Sequence, residues 1–161
     1  MVIENLASGA TPAARLPPLR PAGAFRTIER GDGLFVDPRS YDRYAPLAAA
    51  VDSVDPQAPA RLCGTLKPRL EDAYRDLGRD VPFDNVLERA IVTVLQAPVL
   101  GENVRLVPHG AVYAFEDEAL EKLPAAQKQL ARMGPRHLRA VQDKVRQIAL
   151  AIGIPRERLP Q

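Results

Sequence analysis

Two histidines, one cysteine and two clusters of opposite charge are the side chains of this sequence with chemistry to offer. His109 falls at the tip of a predicted hairpin and His137 in the first turn of a predicted helix. Neither has a Cys, Asp or Glu at a spacing that would put two metal ligands on one helical face, so both read as surface histidines. Cys63 lies beside an apolar helical stripe, where burial disfavours a thiolate, and reads as a small core or boundary residue. As the single cysteine it excludes an internal disulfide and leaves the redox compartment open. No glycine-rich phosphate loop of the GxGxxG or GxxxxGK type occurs, and the residues imply no cofactor and no metal. Glu116, Asp117, Glu118 and Glu121 gather carboxylates as acid–base or divalent-cation sites do. Their place at a helix start instead suits capping of free amides and the positive end of the helix dipole.

The basic side has more to say. Lys128 and Arg132 stand four apart on one helix and share a face, Arg136 and Arg139 open the next helix, and Lys144 and Arg146 follow. From Pro124 to Gln161 there are eight Lys or Arg against two acids, a local excess large enough to hold an anion or an acidic partner. The competing reading is a solvated face, or pairing with the acidic cluster directly upstream. Nucleic acid is disfavoured, because the whole chain carries only +2 and no aromatic stacking surface accompanies the charge. Tyr41, Tyr44, Tyr74 and Tyr113 read as core anchors whose hydroxyls reach polar partners.

These side chains must be positioned by a domain of ordinary size. With 161 residues the chain fits one domain, and 46% hydrophobic residues support a core. No apolar run approaches the ~18 residues of a membrane helix. Sixteen prolines against ten glycines point to short helices joined by stiff corners. Met1–Leu6 reads as the tail of a helix closed by Gly9. Residues 10–33, with Pro12, Pro17, Pro18 and Pro21, read as an extended arm anchored by Leu16, Leu19 and Phe25, with a disordered linker as the alternative.

Asp37-Pro38 starts a helix, Pro46 opens a second through Val54, and Asp55-Pro56 a third to Gly78 that Pro68 should kink. Phe83, Val86, Leu87, Ala90, Ile91, Val94 and Leu95 make a broad apolar face that Pro98 ends. Residues 103–107 and 111–115 alternate around Pro108-His109-Gly110, predicting a β-hairpin with a three-residue loop. Short helices over 117–123 and 124–133 precede Gly134-Pro135. A last helix carries Leu138, Val141, Val145, Ile148 and Ile152 to Gly153. The expected fold is mainly α: a single compact multi-helix domain over 37–161 with one β-hairpin near 103–115, behind a helix remnant and Pro-rich arm at 1–36.

The run Tyr113-Ala-Phe115-Glu-Asp117-Glu-Ala-Leu120-Glu121 and the run Gln127-Lys128-Gln129-Leu130-Ala-Arg132-Met133-Gly134-Pro135 form a pattern. With them go Ser40-Tyr41-Asp-Arg43-Tyr44, the stretch from Pro68 to Gly78, and Ala97-Pro98. Together they resemble an uncharacterised bacterial family, the domain of unknown function numbered 3014, from about Val2 to Leu150. The resemblance implies a helical domain often carried behind a single membrane anchor and a Pro-rich linker, hence a periplasmic or membrane-anchored location. It implies no activity and no catalytic residues. Two departures stand out: no anchor is seen, and Met1–Gly9 resembles the end of a helix that other members begin upstream. The expectation is a trimmed piece or a short member.

The function expected from these features is a non-enzymatic interaction module of the cell envelope. Its surface is the corner Asp117, Glu121, Lys128, Arg132, Arg136 and Arg139, with His109 at the hairpin as a second contact. Its partner would be a protein or an anionic envelope component. Reversing Lys128 and Arg132 to Glu is expected to abolish binding with the fold intact, whereas loss of the fold would mark internal pairing. The alternative is a small-ligand-binding protein or enzyme with a pocket between the kinked helix 56–78 and the hairpin, using Tyr74, Tyr113 and Asp117. A structural subunit needing a second copy or an upstream segment would instead expose an apolar stripe.

Overall fold

Two pairs of short β-prone runs, each joined by a glycine-led dipeptide, make one sheet in the computed structural model, which describes residues 2–12, 20–21, 23–78 and 81–160. Strands β1 (Thr27–Arg30) and β2 (Gly33–Val36) are joined by Gly31-Asp32, and β3 (Arg105–His109) and β4 (Val112–Phe115) by Gly110-Ala111. In each loop the glycine has positive φ, 59° and 60°, and the residue after it does not, the pattern of a type II′ turn. β2 then pairs antiparallel with β3, Leu34 opposite Leu106 and Phe35 opposite Arg105, giving a four-stranded antiparallel sheet in the order β1-β2-β3-β4.

Two expectations are corrected here. The sheet is larger than one hairpin, because residues 27–36, read as the end of an arm, form two of its strands. The loop at His109 has two residues rather than three, because His109 pairs with Val112 and so belongs to β3. Leu16 and Leu19, expected as anchors, lie outside the described residues. Phe25 packs against the sheet cluster as expected.

The rest is mainly helical. Helix α1 spans Val2–Ala7, α2 Ala45–Asp52, α3 Gln57–Asp76, α4 Phe83–Leu95, α5 Glu118–Glu121, α6 Ala125–Ala131 and α7 Pro135–Ala151; 3₁₀ turns cover Pro38–Tyr44 and Arg156–Arg158. Asp37 caps the first 3₁₀ turn through the Arg39 amide at 3.0 Å, and Asp55 receives the Gln57 amide at 3.0 Å at the start of α3. Pro68 sits inside α3 without ending it.

The apolar face of α4 buries Phe83, Val86, Ala90, Ile91, Val94 and Leu95. It packs against α1, α3, α6 and α7, so α4 is the helix the others surround. Its carboxyl end is held by a buried polar group: Gln142 of α7 donates from Nε2 to the carbonyls of Val94, Leu95 and Ala97 at 3.2, 3.1 and 2.8 Å. The Val94 carbonyl also accepts from the Ala97 amide at 3.2 Å, so the glutamine chiefly serves the Leu95 and Ala97 carbonyls, groups whose isolation would cost about 1–3 kcal/mol.

The sheet buries its own cluster of Val36, Val104, Leu106 and Phe115 against Ala131 of α6. Tyr44, Val94, Met133 and Val141 form a second cluster, and Ile91, Leu95, Ala149 and Leu159 a third. Helix α6 thus sits between sheet and helices, which places its charged face at their junction.

Candidate functional site

The junction is built by α5 and α6 following β4 directly in sequence. Asp117 caps α5, its carboxylate accepting from the amides of Ala119 at 2.8 Å and Leu120 at 3.4 Å. Glu121 accepts from the Phe115 amide at 2.9 Å and from Lys128 Nζ at 2.6 Å. One carboxylate therefore ties the end of β4 and the first turn of α6 to α5. The Lys128 contact first, and then the Phe115 amide, hold the Glu121 carboxyl below its usual range. The acidic half of the expected surface is thus occupied with capping and pairing inside the molecule.

The basic half divides in two. Arg132 is half-buried: Nη2 donates to the Tyr113 carbonyl at 2.9 Å, and the guanidinium lies 5.0 Å from the Phe115 ring centroid. Arg136 and Arg139 are exposed on α7, and among the described residues neither has a carboxylate partner. His109 is exposed at the end of β3.

Lys128 and Arg132 share a concave groove of about 600 Å³ with Arg43, between α6, the β3–β4 hairpin and the turn Pro38–Tyr44. Phe25, Tyr44, Val112 and Tyr113 contribute apolar and aromatic wall, and among the described residues no Asp or Glu lines it. Arg43 donates from Nε to the Ser40 carbonyl at 2.9 Å, and its guanidinium carbon stands 5.3 Å from the Phe25 centroid and 5.4 Å from that of Tyr44. Phe25 in turn packs on Tyr113, centroids 5.9 Å apart. Among the described residues Arg43 and Arg132 are held by carbonyls and ring faces, and neither is salt-bridged to a carboxylate. Such a pair keeps charge and donor capacity for an anion from outside, in partly desolvated surroundings where the attraction exceeds that in bulk water. Burial raises the Tyr44 phenol above its ordinary value, so its hydroxyl remains a neutral donor at physiological pH.

Sequence reasoning found Lys128 and Arg132 but missed Arg43, Phe25 and Tyr44 as their companions. The signal was an arginine set between Tyr41 and Tyr44, a cation among aromatics. The residues of the alternative pocket are not brought together. Tyr74 stacks edge-on against Phe83, centroids 5.4 Å apart, and lines a separate cavity beside α1; Tyr113 lines the basic groove; Asp117 is a helix cap. Among the described residues no three His, Cys, Asp or Glu are grouped to hold a metal ion, and no helix is long and apolar enough to cross a membrane.

A family model described as "Protein of unknown function (DUF3014)" matches residues 1–149. No curated protein and no solved structure matches the chain.

Proposed function

Since the chain belongs to the DUF3014 family, whose description assigns no activity, we propose from the geometry that it is a non-enzymatic interaction module of the bacterial cell envelope that docks an anionic partner in the basic groove. One observation carries this reading: Arg43 and Arg132 face the same concavity, and among the described residues neither is salt-bridged to a carboxylate, Glu121 acting on Arg132 only at longer range. Lys128 at the same wall adds a third positive charge, partly offset by Glu121. The groove's side chains supply cations, hydroxyls and ring faces, which are instruments of recognition rather than of proton abstraction or attack. The envelope setting and the bacterial source come from the family resemblance, and the partner is a protein's acidic segment or an envelope polymer.

The geometry changes the best test. Reversing Lys128 and Arg132 would also break their contacts to Glu121, Tyr113 and Phe115, so binding and folding would be lost together. The neutral pair Arg43→Gln with Lys128→Gln removes two charges and leaves a hydrogen-bonding amide at each position. Binding of a hexaglutamate probe, followed by calorimetry at low salt, should weaken at least about tenfold in this variant and fall steeply with added salt in the native chain. The companion variant Arg136→Gln with Arg139→Gln should bind as the native chain does. If binding instead follows Arg136 and Arg139, the partner sits on α7 and the groove reading fails. Equal binding by all three proteins would reject a charge-selective surface altogether.

A further inference from the structure

A second cavity adjoins the groove. It has a volume of about 220 Å³ and almost wholly apolar walls, among them Leu6, Leu47, Val51, Val94, Leu130 and Met133. Tyr44 and Gln129 line both spaces, so one wall is common to the cationic groove and the apolar cavity. We propose that the two form one site for an amphiphilic monoanion, an unbranched alkyl carboxylate of medium chain length. Its head would lie against Arg43 and Arg132, and its chain would enter the cavity beneath Tyr44.

Charge complementarity selects this occupant over the others. A neutral hydrocarbon fills the cavity but leaves two guanidinium groups without an anion. A polyanion meets the guanidinium groups but leaves an apolar cavity with nothing to exclude water from it. A carboxylate on an alkyl chain does both, in a site mostly apolar with a few placed polar groups, as small-molecule sites are built. The inference rests on the reading of the groove as an anion site for the head group alone; the chain's place is argued from the cavity.

Calorimetric titration of the full chain with hexanoate, octanoate and decanoate, each below its aggregation concentration, tests it without a variant. One molecule should bind per chain, tightening about fourfold for each added methylene until the cavity is filled. Octan-1-ol, which keeps the chain and loses the charge, should bind at least about tenfold more weakly than octanoate. Leu130→Gln should weaken decanoate more than hexanoate, and Arg43→Gln should weaken all three acids equally. Absence of a chain-length trend, equal binding of the alcohol, or several molecules per chain would overturn the proposal. An acidic peptide ending in leucine that binds more tightly than decanoate would do so too, by assigning the cavity to a protein side chain. Hexaglutamate binding with no chain-length trend would reject the alkyl site while leaving the groove reading in place. Failure of both ligand classes would remove the two together.

Discussion

Gly134 shows how narrowly one position can be constrained. It separates α6 from α7 with φ at +82°, and a Cβ there would stand 2.5 Å from Cγ of Tyr41, inside contact distance of the ring. Two costs are therefore bound up in the position: an extended backbone at positive φ, with ψ at 161°, about 1–3 kcal/mol for an L residue, and the displacement of a packed ring. Gly153, after α7, separates them, because its φ is +91° and a Cβ there meets nothing within 4 Å. Urea unfolding of Gly153→Ala should show a loss of about 1 kcal/mol, and of Gly134→Ala about 2–4 kcal/mol. Equal losses would mean that the ring yields freely and that Tyr41 does not set the angle between the two helices.

The corner of β4, α5 and α6 depends on an ionised carboxylate, which makes its stability sensitive to pH. Glu121 is held below its ordinary value in the folded chain, first by Lys128 and then by the Phe115 amide. A depressed folded value means that the unfolded chain takes up the proton first. Its contribution is then fully present above the unfolded value, about 4.3, and is lost as pH falls through the lower folded value. Asp37, lowered by its contacts with Arg39, has the same sign. Melting temperatures of the native chain and Glu121→Gln, taken from neutral pH downwards, should converge on acidification below about 4.3. Parallel curves would show that Glu121 acts only as a neutral hydrogen-bonding group.

Elements of this kind were legible where the signal is local. The faces of α4 and α7 repeat every three to four residues, and Asp37, Asp55 and Asp117 announce caps. The Gly31-Asp32 turn is equally local, but the prolines before it made the region read as an arm. The pairing of β2 with β3 joins strands with residues 37–104 between them, and no local pattern specifies that register. The site divides in the same way: Lys128 and Arg132 share a helical face that spacing reveals, whereas Arg43 reaches them only through tertiary packing.

Across the whole molecule, the family match stops at residue 149 while the packing continues. Leu159 is 7% exposed and completes the cluster of Ile91, Leu95 and Ala149. Ile152 and Ile154 pack against the same cluster, and the segment is fastened at two points: Arg158 pairs with Glu88 of α4, and Arg146 of α7 donates to the Pro160 carbonyl at 2.8 Å. The segment after α7 therefore closes the end of the α4–α7 core opposite in character to the charged groove, an apolar seam sealed by its own chain. Deleting most of a buried leucine removes its transfer free energy and leaves a cavity, together about 2–5 kcal/mol. At the scaling of a domain of this size, a loss near 3 kcal/mol lowers the melting temperature by roughly 6–12 °C. Thermal unfolding of Leu159→Ala should show a drop in that range, and Arg158→Gln, which removes the mostly exposed arginine of an ion pair whose Glu88 partner is largely buried, a smaller one. A larger effect for Arg158→Gln than for Leu159→Ala would mean that the ion pair, rather than burial of the leucine, seats this segment on α4.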